Sequence, residues 1–239
     1  MAEHVRRLRP LDPVVVALAP RGVPLAVDVA AALAAPLDAV LIHELAVPGC
    51  PPGVLGAVGE DGVMVLNRLL ATRLGVDAKL LDKTAQQAAA HTEDLRRALR
   101  EQLPQQPLKG RTAVLVDAGV ATGAGASVAV SVLRKRGADT LVLAVPVGAS
   151  SGLRRLRSQV DALVCVREMP WPRPVHEWYD DDNPDLSDHE VRHVLVSAAR
   201  EPGSGVPAMA GSGAGAGQSA QTRRGGKGMK PLVRAAYSA

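Results

Sequence analysis

The residues best suited to chemistry in this 239-residue chain lie between positions 112 and 138, in the run TAVLVDAGVATGAGASVAVSVLRKRGA. A short apolar strand leads to one acid, Asp117, and then to Gly119, Ala121, Thr122, Gly123, Ala124 and Gly125 at the start of a helical stretch. A strand end, a turn of small residues and a helix N-terminus bring several backbone N–H groups to one point. The helix dipole adds positive potential there, so the arrangement makes an anion site. Thr122 offers a hydroxyl donor, and Gly119 and Gly123 permit close approach to the backbone. The run lacks the Gly-Lys-Ser/Thr ending of a P-loop, and no G-x-G-x-x-G follows the strand, which sets aside those two phosphate loops. In open α/β sheets ligands bind beyond the carboxyl ends of the strands, so Asp117 stands where a functional carboxylate is expected. The competing reading is a turn of small residues kept only for packing.

Other reactive side chains carry weaker signals. Cys50, in PGCPPG, has no cationic neighbour evident in the sequence and reads as a passive loop cysteine, while Cys165 falls in an apolar run and reads as core. His176, His189 and His193 show no metal-ligand spacing; the last two read as one helix face. Trp178 and Tyr179 read as packing of the terminal segment onto the body rather than as a lid, and Asp180, Asp181 and Asp182 as a solvated loop.

The elements that must position this loop follow from hydrophobic patterning. Apolar runs at 14–18, 38–42, 112–116, 140–145 and 162–166 have strand length and composition. Helical segments at 24–34, 123–136 and 150–159 separate them, giving the βαβ alternation of an α/β fold with a mainly parallel central sheet flanked by helices. Segments 54–58 and 63–66 flank Glu60-Asp61-Gly62, which predicts an antiparallel hairpin. Asp77 is placed to cap a helix reaching residue 103, with a stripe of Leu81, Ala85, Ala88, Thr92, Leu95 and Leu99. That stripe reads as a helix covering one side of the body rather than a dimerising coiled coil. Ser187 and Glu190 form a capping box for a last helix at 187–200.

Composition bounds what the molecule can be. Hydrophobic residues make up 47% of the chain, aromatics 2%, and Phe is absent, so Val, Leu and Ala must fill the core. An aromatic platform for stacking nucleic-acid bases is not expected. The whole excess of +4 charge resides in residues 201–239, where Arg223, Arg224, Lys227, Lys230 and Arg234 face only Glu201. The body is charge-balanced, so nucleic acid is not an expected partner except weakly through that tail. The chain therefore divides into an N-terminal extension at 1–12, one domain at 13–200 with a hairpin and helix insertion at 54–104, and a tail at 201–239. The tail is basic, rich in Gly, Ser and Ala, and expected to be disordered. The apolar run between Pro13 and Pro20 is shorter than the roughly 7 to 15 residues of a signal h-region. With two cysteines and nothing of transmembrane length, the expectation is a cytoplasmic protein without membrane contact.

The 112–125 segment resembles the phosphoribosyl-diphosphate motif of type I phosphoribosyltransferases: an apolar strand, two acids, then Gly-x-Ala/Thr-Thr-Gly and a small residue. The stretch PVVVALAPRGVPLAVDVAAALAAPLDAVLIHEL resembles the opening of a bacterial subfamily of predicted phosphoribosyltransferases, GAVGEDGVMVLN its hairpin, and EWYDDDNPDLSDHEVRHVL its terminal segment. Together these cover residues 13–198. The resemblance implies the type I phosphoribosyltransferase fold and transfer of ribosyl phosphate from Mg²⁺-bound phosphoribosyl diphosphate to a base or other nitrogen acceptor that it does not name. It further implies that Thr122, Gly123 and Ala124, with Gly119, Ala121 and Gly125 in the same loop, hold the 5-phosphate, that Asp117 serves the ribose as the catalytic carboxylate, and that Arg21 and Gly22 lie near the diphosphate. The metal is implied to be held by its ligand rather than by a protein cluster, and a homodimer is compatible with the family.

Four changes, at five positions, depart from the pattern. Ala118 replaces the second acid, Gly125 the usual closing Thr, Arg21 a Gly, and His43-Glu44 an Arg-Lys pair after the second strand. Ala118 and Glu44 favour an alternative in which the chain keeps the phosphate loop as a non-catalytic sensor or scaffold.

Overall fold

The computed structural model describes residues 12–46, 54–179 and 186–200. Cys50, Asp180, Asp181, Asp182 and the 201–239 segment lie outside them. Strand β1 (Pro13–Ala19) leads into helix α1 (Val23–Leu33), and β2 (Leu37–Ala46) follows. Next come β3 (Val54–Gly59), a 3-10 turn (Glu60–Gly62), β4 (Met64–Leu66), α2 (Arg68–Arg73) and α3 (Ala78–Arg100). The second half runs β5 (Thr112–Val116), α4 (Ala124–Lys135), β6 (Thr140–Ala149), α5 (Ser150–Arg157) and β7 (Ala162–Met169). A second 3-10 turn (Val175–Trp178) precedes α6 (Asp188–Arg200).

The strands form one seven-stranded sheet in the order β4-β3-β2-β1-β5-β6-β7. β1 pairs in parallel with both β2 and β5, and β5, β6 and β7 continue in parallel, while β3 and β4 extend the β2 edge antiparallel. This is the expected α/β architecture with a mostly parallel sheet. Every side chain of β1 and β5 is buried because both faces of the sheet are covered. Val15 and Ala17 join Val114 and Val116 in a cluster with α1 and α6, whereas Val14, Val16, Ala113 and Leu115 pack with Val128, Val132 and Leu133 of α4.

Asp61 and Gly62 both take positive φ, 55° and 70°, so the Asp-Gly step turns the β3–β4 hairpin as its residue types require. Asp77 accepts from the Leu80 N–H at 3.0 Å, capping α3, and its Leu81, Ala85, Ala88, Thr92 and Leu99 are buried against the body. The Ser187–Glu190 box also forms, with the Ser187 N–H donating to Glu190 at 2.8 Å.

Two features differ from the sequence expectation. Helix α2, capped by Asn67 and carrying Leu69 exposed to solvent, has too short an amphipathic stripe to announce itself. Cys165 is half-buried rather than core, because β7 is an edge strand with much of its surface open. Burial still pushes its thiol up to about 11.

A buried ion network anchors the amino end of β2. Asp38, fully buried, accepts from Arg100 of α3, from Arg136 at the end of α4, and from the Gln106 N–H at 3.1 Å. Glu60 accepts from the Leu41 N–H at 2.9 Å and stands 3.8 Å from Arg100. Among the described residues no helix is long and apolar enough to cross a membrane.

Candidate functional site at the carboxyl end of β1 and β5

The parallel strands β1, β2 and β5 end at one edge, and the turns leaving them surround a cavity of about 230 Å³. Its wall includes Pro20 and Arg21 from the turn after β1, His43 and Glu44 from β2, Asp117 and Gly119 after β5, Gly125 from α4, and Val175. Of the residues singled out in the sequence, Arg21, Asp117, Gly119 and Gly125 thus face one space. Gly22, Ala121, Thr122, Gly123 and Ala124 do not line it.

Asp117 continues the line of β5, with its N–H donating to Ala144 at 3.2 Å. Only 9% of its surface is exposed, and burial pushes its carboxyl up to about 7, reinforced by the nearby charge of Glu44. The N–H groups of Ala118 and Gly119 and the guanidinium of Arg21 oppose that rise. Asp117 is therefore poised between its neutral and ionised forms near neutral pH.

The turn itself is held against β6. The Val120 N–H donates to Val147 at 3.1 Å, and the Ala149 N–H returns to Val120 at 2.7 Å. Gly123 then caps α4 with φ of 78°, a left-handed conformation that glycine adopts without steric cost. Thr122 accepts from the Ala124 N–H at 3.3 Å, and Ala121 is partly buried. A β-carbon on Gly119 would meet Val147 and Trp178 at 3.2 and 3.3 Å, so Trp178 lies directly over the turn. Tyr179 donates its hydroxyl to the Ala118 carbonyl. The Trp-Tyr pair, expected only to pack onto the body, is thus packed onto the loop itself.

Gly22 plays its part through absence of a side chain. Its N–H already donates to Leu18 at 2.8 Å, and a β-carbon would come within 2.3 Å of the Val116 carbonyl. Gly22 therefore lets the turn after β1 press onto β5, which brings Arg21 beside Asp117.

The departures from the motif acquire physical meaning. Ala118 is 6% exposed in an apolar cluster with Val147, Ala149, Trp178 and Tyr179, so a second acid there would be buried against aromatic rings. Gly125 lies against Glu44: a β-carbon on Gly125 would stand 2.9 Å from a Glu44 carboxylate oxygen at the far end of that flexible side chain. Glu44 is itself exposed at the cavity wall, yet the protein packed around its carboxyl holds it above the ordinary carboxylate range, with Arg21 and the Gly125 N–H opposing. Nothing in the local sequence signalled this contact, because it joins β2 to α4, which are far apart in the chain and packed together in the fold.

Of the histidines, His43 lines the cavity and its ring meets that of His91 edge-on at 6.1 Å. Among the described residues no group of three or more His, Cys, Asp or Glu side chains is arranged to hold a metal ion.

No family model matches the chain. A Mycobacterium tuberculosis H37Rv protein provisionally named a phosphoribosyl transferase is 39% identical over 166 residues, covering 70% of this chain and 38% of that protein. The chain thus spans well under half the length of this curated relative. The crystal structure of TT1426 from Thermus thermophilus superposes with a TM-score of 0.62 at 33% identity, covering 83% of this chain and 95% of that one. A purine phosphoribosyltransferase from Pyrococcus horikoshii matches more loosely, with a TM-score of 0.40 and 18% identity over 71% of this chain and 78% of that one. With a parallel sheet that ends at an Asp117 turn, and with relatives above 30% identity along most of its length, the chain belongs to the type I phosphoribosyltransferase family.

Proposed function

We infer that the chain binds Mg²⁺-phosphoribosyl diphosphate in the cavity between Arg21, Glu44, Asp117 and Gly125 and transfers ribosyl phosphate to a nitrogen acceptor. One observation carries this reading: the buried carboxylate of Asp117, the loop glycines Gly119 and Gly125 and the guanidinium of Arg21 share a single cavity at the carboxyl edge of a parallel sheet. The 5-phosphate sits against the Thr122–Gly125 turn, whose backbone donors and helix dipole suit an anion. The ribose faces Asp117, and the diphosphate faces Arg21.

Displacing diphosphate from the anomeric carbon builds positive charge on the sugar ring. An ionised Asp117, itself buried, stabilises that charge. Arg21 supplies fixed positive charge toward the leaving group. Mg²⁺ would be held mainly by the diphosphate oxygens and, when bound, would neutralise the charge developing on them.

A second reading is supported by one specific contact: Glu44 lies against Gly125 and shares the cavity with Asp117, so the site carries two carboxylates beside one guanidinium. A chain with that balance can bind a phosphoribosyl ligand without turning it over. Diphosphate release, followed with Mg²⁺-phosphoribosyl diphosphate against a panel of purines, pyrimidines and simple amines, separates the two. Release with one acceptor supports the transferase; binding without release from any acceptor supports the sensor.

A further inference from the structure

The N-terminal turn of α4 is the natural seat for an anion, and a carboxyl group of the protein's own already stands there. Glu44, near the end of β2, has a carboxylate oxygen 2.9 Å from where a Gly125 β-carbon would be. The Gly125 N–H favours the charged form of that carboxylate. A second amide of the same turn, that of Ala124, is taken up by the Thr122 hydroxyl at 3.3 Å. A β-carbon at 125 would press on that oxygen, and the flexible end of Glu44 would have to shift.

We propose that Glu44 determines which anions this site accepts: its carboxylate occupies the place at the head of α4 that a phosphoryl group would take, so a ligand enters the loop only by displacing it. This rests on the phosphoribosyl reading of the cavity given above. The occupied turn discriminates against weakly held anions such as free sulfate or phosphate. A phosphorylated sugar can displace Glu44 because it brings further contacts, to Asp117 through its hydroxyl groups and to Arg21 through its other charged end. Released from Gly125, the carboxylate remains at the cavity wall beside Arg21.

The groups facing Glu44 are Arg21 from the turn after β1, Asp117 at the end of β5, the Gly125 N–H of α4, and His43 on its own strand, whose ring meets His91 of α3. Because burial sets Asp117 near pH 7, the decisive comparison is made at pH 8, where that group is mostly ionised in every variant.

The test is binding of sulfate and of ribose 5-phosphate to the full chain at pH 8, for the wild type, Glu44→Ala and Glu44→Asp, with melting curves to show that each is folded. Alanine removes the carboxylate. Aspartate keeps the charge but is one methylene too short to reach Gly125. The expected result is that both variants bind sulfate about tenfold more tightly than the wild type, with a smaller gain for ribose 5-phosphate. Tighter binding by Glu44→Ala alone, with Glu44→Asp like the wild type, would show general charge repulsion and overturn the occupancy claim. Equal binding by all three would overturn it too while leaving the site intact. Failure of every form to bind either probe would overturn the phosphoribosyl reading along with it.

Discussion

Asp117 is where opposing physical demands meet. Its carboxyl is pushed up to about 7 from the 3.8 of an ordinary aspartate, chiefly because burial penalises the charge. Between pH 4 and 7 the folded chain therefore holds a proton that the unfolded chain has released. Stability should fall as pH rises through that window and level off above it, by on the order of 2 to 4 kcal/mol. Asp117→Asn should make the decline much shallower, leaving only what raised carboxyls such as Glu44 and Glu60 add, and at pH 8 it should be more stable than the wild type while losing transfer; urea unfolding between pH 4 and 9 measures both stability curves, and diphosphate release measures the transfer. A wild-type curve without the decline would mean that the carboxyl is solvated. Gly22 and Gly119 form a second contrast. Gly22→Ala places a β-carbon 2.3 Å from a backbone carbonyl that cannot yield, whereas at Gly119 the nearest atoms stand at 3.2 Å. Gly22→Ala should cost more than about 3 kcal/mol and Gly119→Ala about 1, read as shifts in the denaturation midpoint. Asp117 and its loop were legible in the sequence because strand, acid, small residues and helix are contiguous. Glu44 at Gly125 was not, since the contact depends on how far α4 reaches across the sheet.

At the scale of elements, strand positions were legible because a doubly covered parallel sheet demands unbroken apolar runs, and β5 matches its run from end to end. Caps were legible for the same local reason: Asp77 and Ser187 act within one helical turn. The Asp38 network was illegible, since it joins residues from β2, α3, α4 and the hairpin turn. Its Asp38 and Glu60 are fully buried, and Arg100 and Arg136 nearly so. Removing one partner leaves uncompensated charge, so Asp38→Ala should cost about 3 to 5 kcal/mol. Equilibrium unfolding measures that loss, and a cost below about 1 kcal/mol would mean that solvent reaches the arginines. The same anchoring fixes α4 from its C-terminal end, and with it the position of Gly123 and Gly125 at the other end.

For the whole molecule, both faces of the sheet are covered by elements that end at Arg200. A chain truncated after Arg200 should therefore melt within a few degrees of the full chain and bind the same small molecules; a larger drop in a calorimetric scan would show that later residues contribute to the core. Sequence reading recovered the architecture and the loop but not the acceptor, because no purine or pyrimidine pocket is written in the chain's local pattern. The central claim is that the turn at Asp117–Gly125 and the turn at Arg21 bind one phosphoribosyl ligand. Amide NMR shifts of the full chain during titration with Mg²⁺-phosphoribosyl diphosphate test it most directly. Saturable shifts concentrated at Arg21, Gly119 and Thr122–Gly125, sharing one dissociation constant, are the expected result. Saturable shifts elsewhere with these amides unmoved, or no saturable shift at all, would contradict it.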